Sequence, residues 1–333
     1  MHYRTLGSSG MQVSTLCLGT MTFGARTDLP EAKNIIASAL DANVNFIDTA
    51  DVYGTGASET MVGQLIRETR SRWILATKVG NAMSKLPNES GYSRTWMMRA
   101  IEDSLKRLQT DYVDIYYMHL DNTDFSLEHA VETMGNLIAA GKIRHFGISN
   151  FRGWRIAEVM RACESVGVEP PVVCQPYYNM LKRAPEVEVL PACDHYDMGV
   201  VPYSPIARGV LSGKYPPGQK PDPDSRAGIA DKRMMETEFR EDSLVIAQKV
   251  KARAESRGMT SSQFAYQWVL RNEIISSVIA GPRTLLQWQE YVDGIDKTLD
   301  DDDEAFVDGL VTPGHSSTHG YNDPQYPFFG RIV

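Results

Sequence analysis

The sequence predicts an α/β fold, a single (β/α)8 barrel spanning residues 1–333. Three observations predict it. Eight short apolar runs alternate with longer amphipathic stretches. The runs show little polar alternation, as strands covered on both faces should. Polar residues close successive runs at their C-terminal ends, where a barrel gathers its chemistry. By length alone the chain would suggest about two domains, but α/β barrels run long as single ones.

The elements follow in order. YRTL and MQVS flank the turn-rich stretch Gly7 to Gly10 and predict an N-terminal hairpin. The strand candidates are residues 14–19, 45–49, 73–78, 113–119, 143–149, 172–175, 199–204 and 276–281. Between Trp96 and Leu108, the residues Met97, Ile101, Leu105 and Leu108 mark one buried helix face. Other helices are expected to begin near Pro30, Glu59, Ser126, Arg152, Glu186, Asp242 and Thr284. An open doubly wound sheet is the alternative fold. It fares worse because no GxGxxG follows the first strand; residues 19–24 (GTMTFG) lack that spacing. Residues 215–226, rich in Pro, Gly and Asp, read as a surface loop. The tail 312–333 holds Tyr321, Tyr326, Phe328 and Phe329, too aromatic for a disordered segment, and is expected to pack over the barrel mouth or a neighbouring subunit.

Composition narrows the function. A net charge of −8 argues against nonspecific nucleic-acid binding. The acidic run Asp300 to Glu304 reads as a solvated helix start, where carboxylates favour the N-terminus. No apolar run approaches the length of a membrane span, and the N-terminus has no signal-like pattern. Cys17, Cys163, Cys174 and Cys193 are far apart with no CxxC pair, which argues against structural zinc and fits a reducing cytoplasm. No metal site is expected; Cys17 and Cys174 read as core.

The strand ends carry the chemistry. Asp48 and Tyr53 follow the second strand, Lys78 ends the third and His119 the fourth. A tyrosine hydroxyl can protonate a carbonyl oxygen, but its unperturbed pKa is about 10. A neighbouring ammonium favours the phenolate and lowers it. Lys78 can be that cation, Asp48 its counter-ion, and His119 a hydrogen-bond donor that orients the substrate oxygen. A lone histidine or a lone buried Asp–Lys pair is more often structural; four such groups at strand ends are not.

With these residues in view, the chain resembles the aldo-keto reductase superfamily over nearly its whole length. FIDTADVYGTGASE (46–59), ATKVG (76–80), SLKRLQTDYVDIYYMH (104–119), GKIRHFGISNF (141–151), QPYYNML (175–181) and YSPIARGVLSGKY (203–215) are similar to family blocks. The last resembles the branch of bacterial general-stress reductases and potassium-channel β-subunits. The resemblance implies the tetrad Asp48, Tyr53, Lys78 and His119. It implies nicotinamide contacts at Ser149, Asn150 and Gln175, with Tyr203 stacked on the ring, or else a barrel-core tyrosine. Ser204, Ile206, Arg208, Gly209 and Lys214 match the pyrophosphate loop, and Arg226 either closes over the cofactor or is a solvent arginine. Residues 279–291 resemble the adenosine-phosphate site: Gly281, Arg283, Gln287 and Glu290. Arg283 would pair with a 2′-phosphate, so NADP(H) is expected over NAD(H), although Tyr291 stands where many relatives carry asparagine.

Less can be read of the substrate. Met21, Phe23, Tyr53, His119 and Phe151 are expected near the mouth, and Trp96 there or in a helix core. The ligand is expected to be a small carbonyl or alcohol, with no membrane or nucleic-acid partner, and a homo-oligomer is open. Two other readings remain: a redox-sensing NADP(H)-binding regulatory subunit, and a phosphosugar isomerase or aldolase that uses a strand-end lysine without nicotinamide.

Overall fold

The computed structural model describes residues 1–327; Phe328 and Phe329 of the aromatic tail lie outside them. The chain forms two compact units. The first comprises Met1–Tyr177, Val187–Tyr203 and Glu273–Ile295, and the second Tyr178–Glu186, Ser204–Asn272 and Asp296–Val333.

The first unit contains the barrel. β1 (Tyr3–Thr5) and β2 (Gln12–Ser14) pair antiparallel as the predicted hairpin. Eight parallel strands follow: β3 (Leu16–Gly19), β4 (Phe46–Asp48), β5 (Ile74–Val79), β6 (Val113–Met118), β7 (Ile143–Ser149), β8 (Val173–Gln175), β9 (Gly199–Val200) and β10 (Val278–Ala280). They are hydrogen-bonded in the order β10-β3-β4-β5-β6-β7-β8-β9. The ring is closed by a parallel bridge between Val200 and Ile275, with the Ser276 N–H donating to the Val200 carbonyl at 2.8 Å. β9 is shorter than the apolar run 199–204 predicts, because Pro202 has no N–H to donate to a ladder.

Period-2 alternation sets the two faces of the barrel wall. Cys17, Phe46, Ala76, Ile115, Tyr117, Val173, Val201 and Ile279 form its interior core. Leu6 and Val13 of the hairpin join this core, and the hairpin covers the strand starts: Ser8 N–H bonds the Asp197 carbonyl and Arg4 the Ile275 carbonyl. Gly7 is required there, since φ is +48° and a Cβ would lie 2.4 Å from the Gly199 nitrogen.

Around the barrel lie α1 (Leu29–Asp41), α2 (Ala57–Ile66), α3 (Arg94–Leu108), α4 (Leu127–Ala139), α5 (Gly153–Val166) and α6 (Val189–His195). Their starts follow from capping chemistry. Asp28, Ser93 and Ser126 accept backbone N–H bonds at the N-termini of α1, α3 and α4. α3 buries the expected Met97, Ile101, Leu105 and Leu108, and also Trp96, which is helix core.

The second unit holds α7 (Lys232–Thr237), α8 (Glu241–Ser256) and α9 (Ser261–Arg271); the first unit then adds α10 (Leu285–Asp293) and the second ends with α11 (Asp301–Leu310). α9 was not among the expected helices; ten of its eleven residues, Ser261 to Leu270, are buried, the polar Gln263 and Gln267 included. The acidic run opens α11 as expected, with Asp300 and Asp303 in a reciprocal capping box. Asp303, however, is fully buried and paired with Arg253 and Arg257.

The described tail is fastened within the second unit. The Ser317 N–H bonds the Leu181 carbonyl, the Arg183 N–H bonds the His315 carbonyl, and Asp323 takes both Arg233 terminal nitrogens at 3.1 and 2.8 Å. The Arg240 guanidinium lies 3.8 Å from the centre of the Tyr321 ring. Among the described residues no helix is long and apolar enough to cross a membrane.

Candidate active site

Asp48, Lys78 and His119 reach the barrel interior because each stands two residues beyond an inward core residue: Phe46, Ala76 and Tyr117. Tyr53 comes from the loop between β4 and α2. Ser58 pins that loop, donating to the Thr20 carbonyl and sharing hydroxyl bonds with Thr20 and Thr49.

The geometry joins the four. Lys78 Nζ donates to Asp48 Oδ1 at 2.5 Å, to the Thr49 carbonyl at 2.8 Å and to the Tyr53 hydroxyl at 3.4 Å. The Tyr53 and His119 rings meet edge to face, 6.0 Å between centroids. Burial works against the Lys78 ammonium, but Asp48 and Tyr53 outweigh it and raise its pKa above the ordinary value. His119 goes the other way: desolvation first, then Lys78, hold its pKa well below the usual imidazole range. A neutral imidazole beside a charged ammonium therefore frames the Tyr53 hydroxyl. His119 Nδ1 is buried and makes no hydrogen bond within the protein.

The other strand ends converge as a polar cluster. Ser149 Oγ donates to the Gln175 carbonyl. Asn150, at φ +61°, donates to the His119 carbonyl and accepts from the Tyr203 hydroxyl at 2.8 Å. Tyr177 stacks on one face of Tyr203, 5.4 Å between centroids. Gln175 Nε2 donates to Asp48 Oδ2 at 2.8 Å. The residue expected to hold the nicotinamide amide thus also completes the counter-ion of Lys78, a link the sequence reading missed. Its partners lie 127 residues apart in sequence. Tyr117, beneath them, is fully buried.

At α10, the Arg283 N–H donates to Gln287 Oε1 at 2.8 Å, and Leu285 N–H to Glu31 Oε1 at 2.6 Å. Arg283 and Glu290 are half-buried, Gly281 is exposed and Tyr291 is buried. A carboxylate thus stands at the helix start where an anion was expected. Of the mouth residues, Phe23 and Phe151 are buried and Met21 is exposed.

In the second unit, Ser204, Ala207, Arg208 and Gly209 all have positive φ, between +49° and +98°. Non-glycine residues adopt that conformation only under local strain, and here it closes tight turns: the Ala207 N–H donates to the Ser204 carbonyl and the Gly209 N–H to the Ile206 carbonyl, both at 2.9 Å. Lys214 is exposed and its ammonium lies about where a Cβ on Gly209 would touch it, at 3.6 Å. Ile206 is half-buried. Arg208 approaches Glu238 at 3.7 Å, and Arg226 approaches Asp231 at 3.2 Å. Arg226 is therefore an ion-paired, half-buried side chain rather than a solvent arginine.

The model of the aldo/keto reductase family matches residues 15–312. The chain is 37% identical over 302 residues to a probable voltage-gated potassium channel subunit beta of Arabidopsis thaliana, covering 89% of this chain and 92% of that protein. It is 33% identical over 335 residues to the uncharacterized oxidoreductase YrpG of Bacillus subtilis, covering 96% and 99%. A putative potassium channel subunit beta of Schizosaccharomyces pombe is 33% identical over 309 residues, 89% of each. With a family match across the whole barrel, the chain belongs to the aldo/keto reductase family.

Proposed function

We propose that the protein is an NAD(P)H-dependent reductase that converts an aldehyde or ketone to an alcohol, reversibly, with Tyr53 as the general acid. The observation that carries this reading is the position of Lys78, in contact with both the Asp48 carboxylate and the Tyr53 hydroxyl. A buried ammonium held charged by one partner stabilises negative charge on the other. That is what a phenol needs when it gives its proton to a carbonyl oxygen. His119, neutral, donates a hydrogen bond to the same oxygen and orients it.

A bound reduced nicotinamide would supply the hydride. The residues fit such a group. Ser149, Asn150, Gln175 and Tyr203 are an ordered polar cluster at strand ends, suited to a carboxamide and a planar ring. In the second unit, Ser204, Ile206, Arg208, Gly209, Lys214 and Arg226 are assigned to the pyrophosphate, supported by the exposed ammonium of Lys214. Gly281, Arg283, Gln287 and Glu290 are assigned to the adenosine end. We assign NADP(H) as the preferred cofactor through Arg283, with NAD(H) as the weaker one. Phe23, Tyr53 and His119 are assigned to the substrate side.

The names of the two potassium-channel relatives favour a second reading, a cofactor-binding regulatory subunit. Titration of intrinsic fluorescence with NADPH and NADH, followed by a carbonyl panel, separates the readings. Binding with turnover supports the reductase. Binding without turnover, with a co-purifying protein partner, supports the regulatory subunit. No binding of either nucleotide refutes both.

A further inference from the structure

Two residues before Tyr53, on the same loop, Asp51 is buried with 1% of its surface exposed. Neither of its carboxyl oxygens has a hydrogen-bond partner that satisfies it. A buried carboxylate is normally paired or bonded, because desolvating an unpartnered charge is costly. The reaction described above makes no use of this group.

Its surroundings explain its state. From α2 comes Glu59, fully buried, which accepts from Thr77 Oγ1 of β5 at 2.5 Å and from Arg107 Nε of α3 at 2.6 Å. Arg107 also donates to Ser104. From β6 comes Tyr116, fully buried, its hydroxyl also without a partner. From the other face of β5, Lys78 reaches the site electrostatically but is bonded to Asp48. The Val52 N–H favours the charged carboxylate, but burial and Glu59 outweigh it. Counting charges, Asp48 is matched by Lys78 and Glu59 by Arg107. Asp51 is the surplus carboxyl, the one with no cation of its own.

We propose that Asp51 is a positioning residue for Tyr53: it carries a proton while the loop is in its working state, and once ionised it places an unmatched negative charge beside the Tyr53–Lys78 pair that opposes formation of the phenolate. Desolvation, then repulsion from Glu59, raise its pKa to about 8, so the change falls in an accessible range. The sign follows from electrostatics. Below that pH the group is neutral and Lys78 acts on Tyr53 unopposed. Above it the added anion favours the protonated phenol, which prolongs the acid form needed for reduction and delays the base form needed for alcohol oxidation.

This inference rests on the assignment of Tyr53 as the acid, so its test begins with a measurement that needs no substrate. Infrared spectra of the full-length protein should show the carbonyl stretch of a protonated buried carboxyl at pH 7. The band should vanish as pH rises through about 8 and be absent in Asp51→Asn. Glu59→Gln, which frees Arg107, should abolish the band at pH 7. Absence of the band in the wild type, or its persistence in Asp51→Asn, overturns the proposal whatever the activity. The second arm is the pH profile of carbonyl reduction. In Asp51→Asn the alkaline limb of kcat should move to lower pH by on the order of half a unit or more, with little change in the KM for NADPH. A structural role alone would lower kcat by the same factor at every pH, and parallel profiles of that kind would refute the charge effect.

Discussion

Asp48→Asn tests the heart of the site. Asp48 and Lys78 are both buried, with Nζ and Oδ1 2.5 Å apart. At an effective dielectric of about 20, that separation corresponds to roughly 7 kcal/mol of Coulomb attraction, most of it offset by desolvation. Removing one partner of such a pair costs about 3–5 kcal/mol, because the other charge is left buried and unmatched. The asparagine also sets its own amide against the Gln175 amide, which now donates to Asp48 Oδ2. Lys78 would respond by giving up its proton. In the wild type its pKa is raised, so the stability it contributes is present below the ordinary lysine value and is lost only as pH climbs through the raised one. In the variant burial would dominate and depress the pKa. Stability would then be highest at alkaline pH and would fall as pH drops from the ordinary lysine value through the depressed one. The expected results are a thermal midpoint lower by about 5–10 °C at pH 7, a reversed slope of stability against pH in the alkaline range, and a loss of carbonyl reduction of about a hundredfold or more. Calorimetry and steady-state kinetics across pH would check them. A variant with wild-type stability and an unaltered pH–rate profile would refute the argument that Lys78 acts on Tyr53 through a charge held by Asp48.

Three further outcomes are expected. Tyr53→Phe should abolish carbonyl reduction while NADPH affinity, read by fluorescence, stays near the wild-type value; retained activity would remove Tyr53 from the acid role. Arg283→Ala should weaken NADPH far more than NADH, and Glu31→Gln, which removes the carboxylate bonded to the Leu285 N–H, should strengthen NADPH relative to NADH; equal effects on both nucleotides would detach this end from the 2′-phosphate. Asp323→Ala should lower stability by about 1–3 kcal/mol, because it strips a nearly buried carboxylate from Arg233; a thermal midpoint equal to the wild type would show that the tail is not fastened there.

Much of this was legible in the sequence because barrel strands announce themselves twice, as apolar runs and as polar residues at their ends. Asp48, Lys78 and His119 stand where the pattern puts them, two residues beyond Phe46, Ala76 and Tyr117 on the inner face. Helix starts near Pro30, Glu59, Ser126, Arg152, Asp242 and Thr284 were legible from the onset of an amphipathic face, with or without a capping side chain ahead of it. α9 was missed although Thr260 and Gln263 form a capping box at its start and Gln263, Gln267 and Arg271 recur along one row. α7 has six residues, too few for a period to register. β9 was overread although Pro202 stands within the run and marks where the ladder must stop. Side-chain partners were the least legible. Nothing local in sequence ties Gln175 to Asp48 or Glu31 to Leu285, separated by 127 and 254 residues.

The alternation of the wall also accounts for how charge is arranged about Tyr53. On β5, Lys78 faces the interior and Thr77 the helices; on β6, Tyr117 lies in the interior core and Tyr116 near the outer carboxyls. Two buried polar systems therefore lie back to back across one layer of backbone. The inner one, Asp48 with Lys78 and Gln175, is closed by hydrogen bonds and keeps a fixed charge. The outer one, Glu59 with Thr77 and Arg107, is closed as well, but it shares its space with one carboxyl too many. A wall this thin does little to screen the charge on one side from the other, since low-dielectric surroundings strengthen such interactions. The loop bearing Tyr53 starts at the end of β4 and enters α2 just before Glu59, so it touches both systems. Under the roles proposed for Tyr53 and Asp51, the acid would be governed by a permanent cation on one side and by a proton that can leave on the other.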